Sequence, residues 1–354
     1  MAYTTIDNPE LYFQTDLFTG NATDNTAYTL DGSENMQPDW IWIKNRTDTE
    51  QHRLMDSVRG ASKVIKSSGT GAEEDVSNHL KSFDTNGFTL GIDNAVNGNG
   101  DSMVAWCWKA GGSASSNSDG SLTVSRSVNT TAGFSILTYT GSGTAGAAGT
   151  ETIAHGLGVA PKVVIIKQRN EARNWSVGHD GITWLKYLYL DVTNAAAGGS
   201  SNNFWNDSAP TSSVVTLIRD SGVNKGTGNY VAYCFAEKQG YSKFGSYTGN
   251  DNANGTFVYT GFAPAWVMIK RTNSVNDWII LDTKRNPINP SNERLLANTN
   301  GAASTANTMV DFLSNGFKPR STYGGINGAS DNFIYIAFAE APFVNSNGVP
   351  NNAR

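Results

Sequence analysis

One pattern of strands occurs three times in this chain, and it limits the possible folds more than any single motif. Each copy opens with an aromatic strand ending in Thr-Gly: LYFQTDLFTGN from Leu11, GFSILTYTGS from Gly133 and YSKFGSYTGN from Tyr241. A polar loop and a proline then lead into a second strand, read as QPDWIWIKNR, APKVVIIKQR and APAWVMIKRT. A third strand follows in HRLMDSVRG, NWSVGHDG and DWIILDTKR, and each copy closes on GDSMVAWCWKA, GNYVAYCFAE or DNFIYIAFAE. Pro38 to Ala105, Pro161 to Ala232 and Pro264 to Ala337 are 67, 71 and 73 positions apart. Repeats of about 100 residues are long enough to bury a face of their own, unlike solenoid repeats.

The runs are short, β-branched and aromatic, and they are bounded by Gly, Asn and Pro, which is the signature of strands and turns. In WIWIK the isoleucines Ile41 and Ile43 share one face and Trp40 and Trp42 the other. Both faces are apolar, so the strand is expected between two layers. The prolines suit a strand's first position, and Asn86-Gly87 and Asn315-Gly316 suit tight primed turns. One helix is expected, over 71–83, where Val76, Leu80 and Phe83 share a face. The fold class is therefore all-β, with three tandem β-sandwich repeats. Residues 1–110 form the first, 111–131 a flexible Gly/Ser-rich linker, 132–238 the second with an aromatic insertion, and 239–343 the third. Residues 344–354 form a flexible C-terminal tail. Each repeat is expected to close its own core.

Composition narrows the function. The 26 Lys+Arg against 31 Asp+Glu give a net charge of −5, with no basic cluster, which argues against a nucleic-acid partner. No apolar run has the ~20 residues of a membrane helix, and MAYTTIDNPE does not read as a signal peptide. Two cysteines make neither a disulfide framework nor a zinc site. Cys107 and Cys234 occupy matching places, filled in copy three by Ile336 or its neighbour, and read as small buried hydrophobes.

Chemical motifs are few. The histidines His52, His79, His155 and His179 form no zinc spacing, and His155 in IAHGLGVAPK reads as a shaped turn. No nucleophile elbow, phosphate loop or dinucleotide fingerprint is present, and no cofactor is expected. Asp93, Asn97, Asn99 and Asp101 lie in one oxygen-rich loop, a weak calcium candidate or a hairpin turn. The insertion in copy two carries Trp184, Tyr187, Tyr189, Phe204 and Trp205. Trp184, Tyr187, Phe204 and Trp205 are candidates for stacking on a sugar ring, against a purely structural strand pair. Asp180 and Asp191 beside it are the one carboxylate pair that a glycan-degrading enzyme could use.

The runs TYTGS, IAHGLGVAPKVVIIK, YVAYCFAE, GYSKFGSYTGN, FVYTGFAPAWVMIKRT and SNGFKPR, with PDWIWIKNR and VAWCWKAGG earlier, resemble a family of virion structural proteins. It comes from marine tailed phages of the cyanophage and pelagiphage type. Its members are often described as tail-fibre or tail-associated proteins. The resemblance runs from about Tyr12 to Phe343. It implies jelly-roll or lectin-like β-sandwiches, no catalytic motif, a place in the virion, and other virion proteins as partners. By analogy with phage fibres it implies a homotrimer, with a host-surface glycan as a further partner. The expected role is host adhesion as a tail fibre or tail-associated protein. The alternative is a capsid decoration or cement protein, and the third reading is the glycan-degrading enzyme.

Overall fold

Alternation along the proline-led strands sets the architecture. In copy one, every residue of Trp40–Asn45 is buried, with Ile41 and Ile43 in one apolar cluster and Trp40 and Trp42 in another. The computed structural model describes residues 3–144, 148–199 and 204–352. It is all-β. The helical turns are brief, at Asn94–Asn97 and Gly324–Asn327, with two 3-10 turns at Pro9–Leu11 and Asp180–Ile182. Among the described residues, no helix is long and apolar enough to cross a membrane.

Three antiparallel main sheets share one strand order: opening, closing, proline-led, hairpin. In copy one these strands are Phe13–Thr19, Ser102–Trp108, Trp40–Asn45 and Arg53–Asp56. In copy two they are Phe134–Thr140, Asn229–Phe235, Val163–Gln168 and Ser176–His179. In copy three they are Ser242–Thr248, Asn332–Pro342, Phe262–Arg271 and Trp278–Asp282. A small sheet covers one face of each. It has three strands in copies one and three and two in copy two, Thr150–Ala154 with Val214–Ile218.

Each main sheet therefore has a private core under its small sheet. Ile41, Ile43, Ala105 and Cys107 lie in the first, Val164, Ile166, Ala232 and Cys234 in the second, and Val267, Ile269 and Ala337 in the third. The opposite faces of all three sheets meet in a fourth core. It holds seven of the nine tryptophans, with Tyr233, Phe235, Met268 and Phe338 among their neighbours. The expectation that each repeat closes its own core holds for one face only. The other face is closed by the neighbouring copies.

Polar contacts close these copies into a ring. Backbone N–H groups of Glu73, Ala196 and Ala303 donate to the carbonyls of Arg169, Thr272 and Arg46, at 2.7, 2.8 and 2.9 Å, joining one to two, two to three and three to one. The residues opening the hairpin strands repeat the theme. Trp175 Nε1 donates to Lys66 O and Trp278 Nε1 to Tyr189 O, and His52 Nε2 reaches Leu296 O. At the far end of the same strands stand Asp56, His179 and Asp282. Asp56 accepts from Tyr233, His179 Nε2 meets Tyr335 O, and Asp282 accepts from Trp106 Nε1.

Four expectations need correction. The 111–131 stretch is no flexible linker: Val124–Asn129 pairs with Phe134 to Tyr139 of the opening strand of copy two, and Leu122 and Val124 are buried. Within 71–83 there is no helix but strands at Glu74–Asp75 and from Leu80, because pairing with Lys63–Val64 and Gly87–Leu90 outweighs a weak helical pattern. The described tail residues are tied down, Ser346 N donating to Asp7 at 2.6 Å and Asn351 Nδ2 to Ser314 O at 2.9 Å. Finally, Trp106, Tyr233 and Ile336 pair with the corresponding residues of the proline-led strands, so Cys107 and Cys234 match Ala337, and Ala105 and Ala232 match Tyr335. The closing alanine of copy three, Ala337, thus stands two residues beyond its counterparts Ala105 and Ala232. A slip of two keeps every side chain on its face, so alternation cannot detect it.

Candidate functional site

The aromatic insertion is core. Trp205 is 0% exposed, Trp184 and Phe204 5%, and Tyr187 is half-buried against Phe204 with ring centroids 4.3 Å apart. Trp184 and Trp205 meet edge to face at 5.5 Å over Gly178, where a Cβ would lie 2.4 Å from Trp184. These rings cover the private face of copy two, where the small sheet has no third strand among the described residues. Buried in this way, Trp184, Phe204 and Trp205 have no face left for a sugar.

The oxygen-rich loop is a structural corner. Asn97 is buried, its Oδ1 accepting from Asn21 N and Tyr28 OH and its Nδ2 donating to Gly91 O. Asp93 caps the short helical turn and faces His79 at 3.1 Å, which holds its carboxyl down at about 2. Asp101 accepts from Asn45, and Asn99 stands exposed. Copy three repeats the device, with Asn327 accepting from Asn250 N and Asp331 from Arg271 and Asn273. The oxygens of Asp93, Asn97 and Asp101 are committed to the fold, which argues against the calcium reading. Among the described residues, no group of three or more His, Cys, Asp or Glu could hold a metal ion.

The carboxylate pair is not brought together. Asp191 accepts from Trp175 N and Asn174 Nδ2 at the start of a strand, while Asp180 follows that strand's end and pairs with Lys162. Five extended residues separate the two levels by about 16 Å, beyond the roughly 5–10 Å that glycoside hydrolysis uses. Three of the histidines are hydrogen-bonded turn or joint residues, kept neutral by burial: His52, His155 and His179 are all pulled below the ordinary value, His179 to about 4.

Three buried lysines stand at one place in the repeat, and two of them hold joints. Lys44, Lys167 and Lys270 end the three proline-led strands and are fully buried. Lys167 donates to Thr70 O and Arg173 O, and Lys270 to Thr193 O and Arg271 O, each crossing to the preceding copy. Lys44 donates to Asn45 O and Asp48 O. The same residue type at one place in all three copies was the available signal. Burial pulls each ammonium down to about 8 from its ordinary 10.5. Above pH 8 the unfolded chain keeps protons there that the folded chain has lost, so the stability these lysines contribute rises with pH toward about 10. Beyond that, tyrosines held high by burial, such as Tyr139 and Tyr241, reverse the trend. The buried thiols of Cys107 and Cys234 are likewise pushed up and oppose the rise from about pH 9, so the urea midpoint should increase from pH 8 to pH 9, and by less in Lys167→Met. A midpoint that falls steadily from pH 8 would contradict this.

Two of the open surfaces bear on function. The first is on copy three, where Phe257 and Tyr259 are 45% and 51% exposed. They stand where the matching strand of copy one has Ala27 and Thr29, since Tyr28 faces Phe88 as Val258 faces Phe317. Tyr3 joins them, its hydroxyl donating to Gly261 O at 2.8 Å and lying 3.2 Å from that of Tyr259. A cleft of about 250 Å³ runs beside these two tyrosines, lined also by Gln239 and by Glu237 and Lys243, an ion pair at 2.6 Å. The second surface is a cleft of about 310 Å³ between copies three and one, with Glu10, Asp31, Lys284 and Glu340 on its walls and Phe13 to Thr15 on its floor. Nearby Asp16 is buried beside Asp31, which pushes its carboxyl up to about 6.

A family model matches the chain over residues 8–342. No curated protein matches it, and no solved structure does.

Proposed function

The chain belongs to that family, the domain of unknown function DUF7483, and from its surfaces we propose a non-enzymatic structural protein of a tailed-phage virion. It acts as a tail fibre or tail-associated adhesion component that contacts the host surface. One observation supports this reading above the rest. Both faces of every main sheet are buried in private or shared cores, so edges and outer loops remain for recognition, and among the described residues copy three alone places well-exposed aromatic rings there. Aromatic rings beside amide and carboxylate groups suit the apolar face and hydroxyls of a sugar. The Tyr3–Tyr259 surface thus replaces the buried insertion as the place for a host glycan. Its partners are other virion proteins and further copies of itself as a trimer, joined through surfaces outside the shared core.

Antibody labelling of intact particles tests the location, and a glycan array with the purified protein tests adhesion. Label on the tail is expected, with glycan binding at least tenfold weaker in Tyr259→Ala. Particles without label would remove the virion role. Binding untouched by Tyr259→Ala would remove the site. A second reading, the capsid decoration or cement protein, is favoured by the open strand edge in the cleft between copies three and one. Label confined to the head would select it.

A further inference from the structure

The opening strand of copy one offers an edge that copy two fills with a strand of its own. Phe13 lies opposite Trp108 as Phe134 lies opposite Phe235, so the two opening strands correspond residue for residue. In copy two, Val124–Asn129 runs antiparallel along this strand, Val124 opposite Tyr139 and Asn129 opposite Phe134. In copy one, among the described residues, the opening strand pairs only with the closing strand. Lys109 N donates to Tyr12 O and Gly20 N to Asp101 O. By alternation, Gln14, Asp16 and Phe18 turn their backbone groups inward, and Phe13, Thr15 and Leu17 turn theirs outward. The Asp16 carboxylate takes the N–H of Leu17. Those of Phe13 and Thr15 have no hydrogen-bond partner among the described residues.

We propose that this edge is a docking site for an extended, basic segment of another polypeptide, which adds to the copy-one sheet as an antiparallel strand. Copy two shows the geometry, and the cleft beside Phe13 to Thr15 supplies the space. The charge of the walls selects the occupant. Glu10, Asp31 and Glu340 surround a single Lys284, and Asp16 holds the position that Leu137 has in copy two, opposite Arg126. An arginine or lysine opposite Asp16, flanked by small polar residues as in Ser125-Arg126-Ser127, meets that charge across the strands. Main-chain bonds to Phe13 and Thr15 give such a segment its hold. Lys284 and Asp31, 2.7 Å apart and both well exposed, bridge the two copies near the edge. An exposed pair of this kind is weak and yields to a strand. Only the identity of the partner as a virion subunit rests on the proposed function; the edge itself does not.

The test uses the full chain with a second copy of residues 122–131, LTVSRSVNTT, fused ahead of Met1 through a Gly/Ser linker of about 20 residues, which raises its local concentration to roughly millimolar. Amide hydrogen exchange is read at Phe13 and Thr15. Exchange at both should slow at least tenfold relative to the unfused chain, and Arg126→Glu in the fused copy should restore it. Thr15→Pro in the host chain removes an outward N–H that no ladder bond uses, so the sheet persists while the amides of the fused segment lose protection. Unchanged exchange at Thr15, or protection that survives both substitutions, overturns the proposal. Particle labelling is independent of it: a protein absent from virions that still takes the strand keeps this inference and loses the virion role, and the converse result does the opposite.

Discussion

A fragment of residues 1–110, expressed alone, is expected not to reach the fold it has in the full chain. Its private core of Leu30, Met36, Ile41, Ile43, Phe88 and Val96 is intact. Its other face, however, presents Trp40, Trp42, Trp106 and Trp108, which in the full chain pack on Phe134, Tyr233, Phe235, Trp266 and Phe338. Such a patch is much larger than a monomer normally leaves in water. Removing even one of these rings from the shared core, as in Trp106→Ala, should cost about 3–5 kcal/mol. The fragment loses contact with all the neighbouring rings at once. Proton NMR should show collapsed, poorly dispersed resonances and dye binding, while the full chain unfolds in one transition reported equally by near-UV and far-UV signals. A soluble fragment with dispersed resonances and a sharp melt would mean that the shared core is dispensable for copy one.

The second large effect is expected at Asp282. This residue and Arg285 form an ion pair at 2.5 Å with both side chains fully buried, and Asp282 also accepts from Trp106 across the joint. Arg285 donates as well to Ile280 O. In Asp282→Ala the buried guanidinium keeps only the more distant Glu293, at 4.0 Å, as a counter-charge, a defect of about 3–5 kcal/mol. Asp31→Ala, which breaks the exposed pair with Lys284, should cost less than about 1 kcal/mol. The double variant Asp282→Leu with Arg285→Met removes both charges and should recover much of the loss. Urea titrations at pH 7 compare the three. Equal midpoints for Asp282→Ala and Asp31→Ala would contradict a buried, joint-holding role.

The three main sheets were legible because each opening, proline-led and closing run has its own alternation and its own Gly, Asn or Pro boundary. The apolar second face of WIWIK was legible too, but its partner was not: an apolar face looks the same in sequence whether a local loop or a distant sheet covers it. That is why a shared core went unseen. Val124–Asn129 was lost among the Gly and Ser residues before it, although Val-Ser-Arg-Ser-Val-Asn does alternate. The aromatic insertion misled for a related reason, since rings that fill in for an absent strand have the composition of rings that grip a ligand. Tyr3 and Tyr259 gave no signal at all, lying 256 positions apart and meeting only because the chain's beginning returns to copy three.

Joining the copies in one chain has a consequence that separate subunits could not have. In an assembly of identical chains, one substitution alters every joint together, and a change that suits one contact must be tolerated at the others. Here Asp56 with Tyr233, His179 with a backbone carbonyl, and Asp282 with Trp106 are three different answers at corresponding places. Covalent linkage lets each junction be tuned alone, so one copy can seal its flank while another leaves the same flank free for a guest.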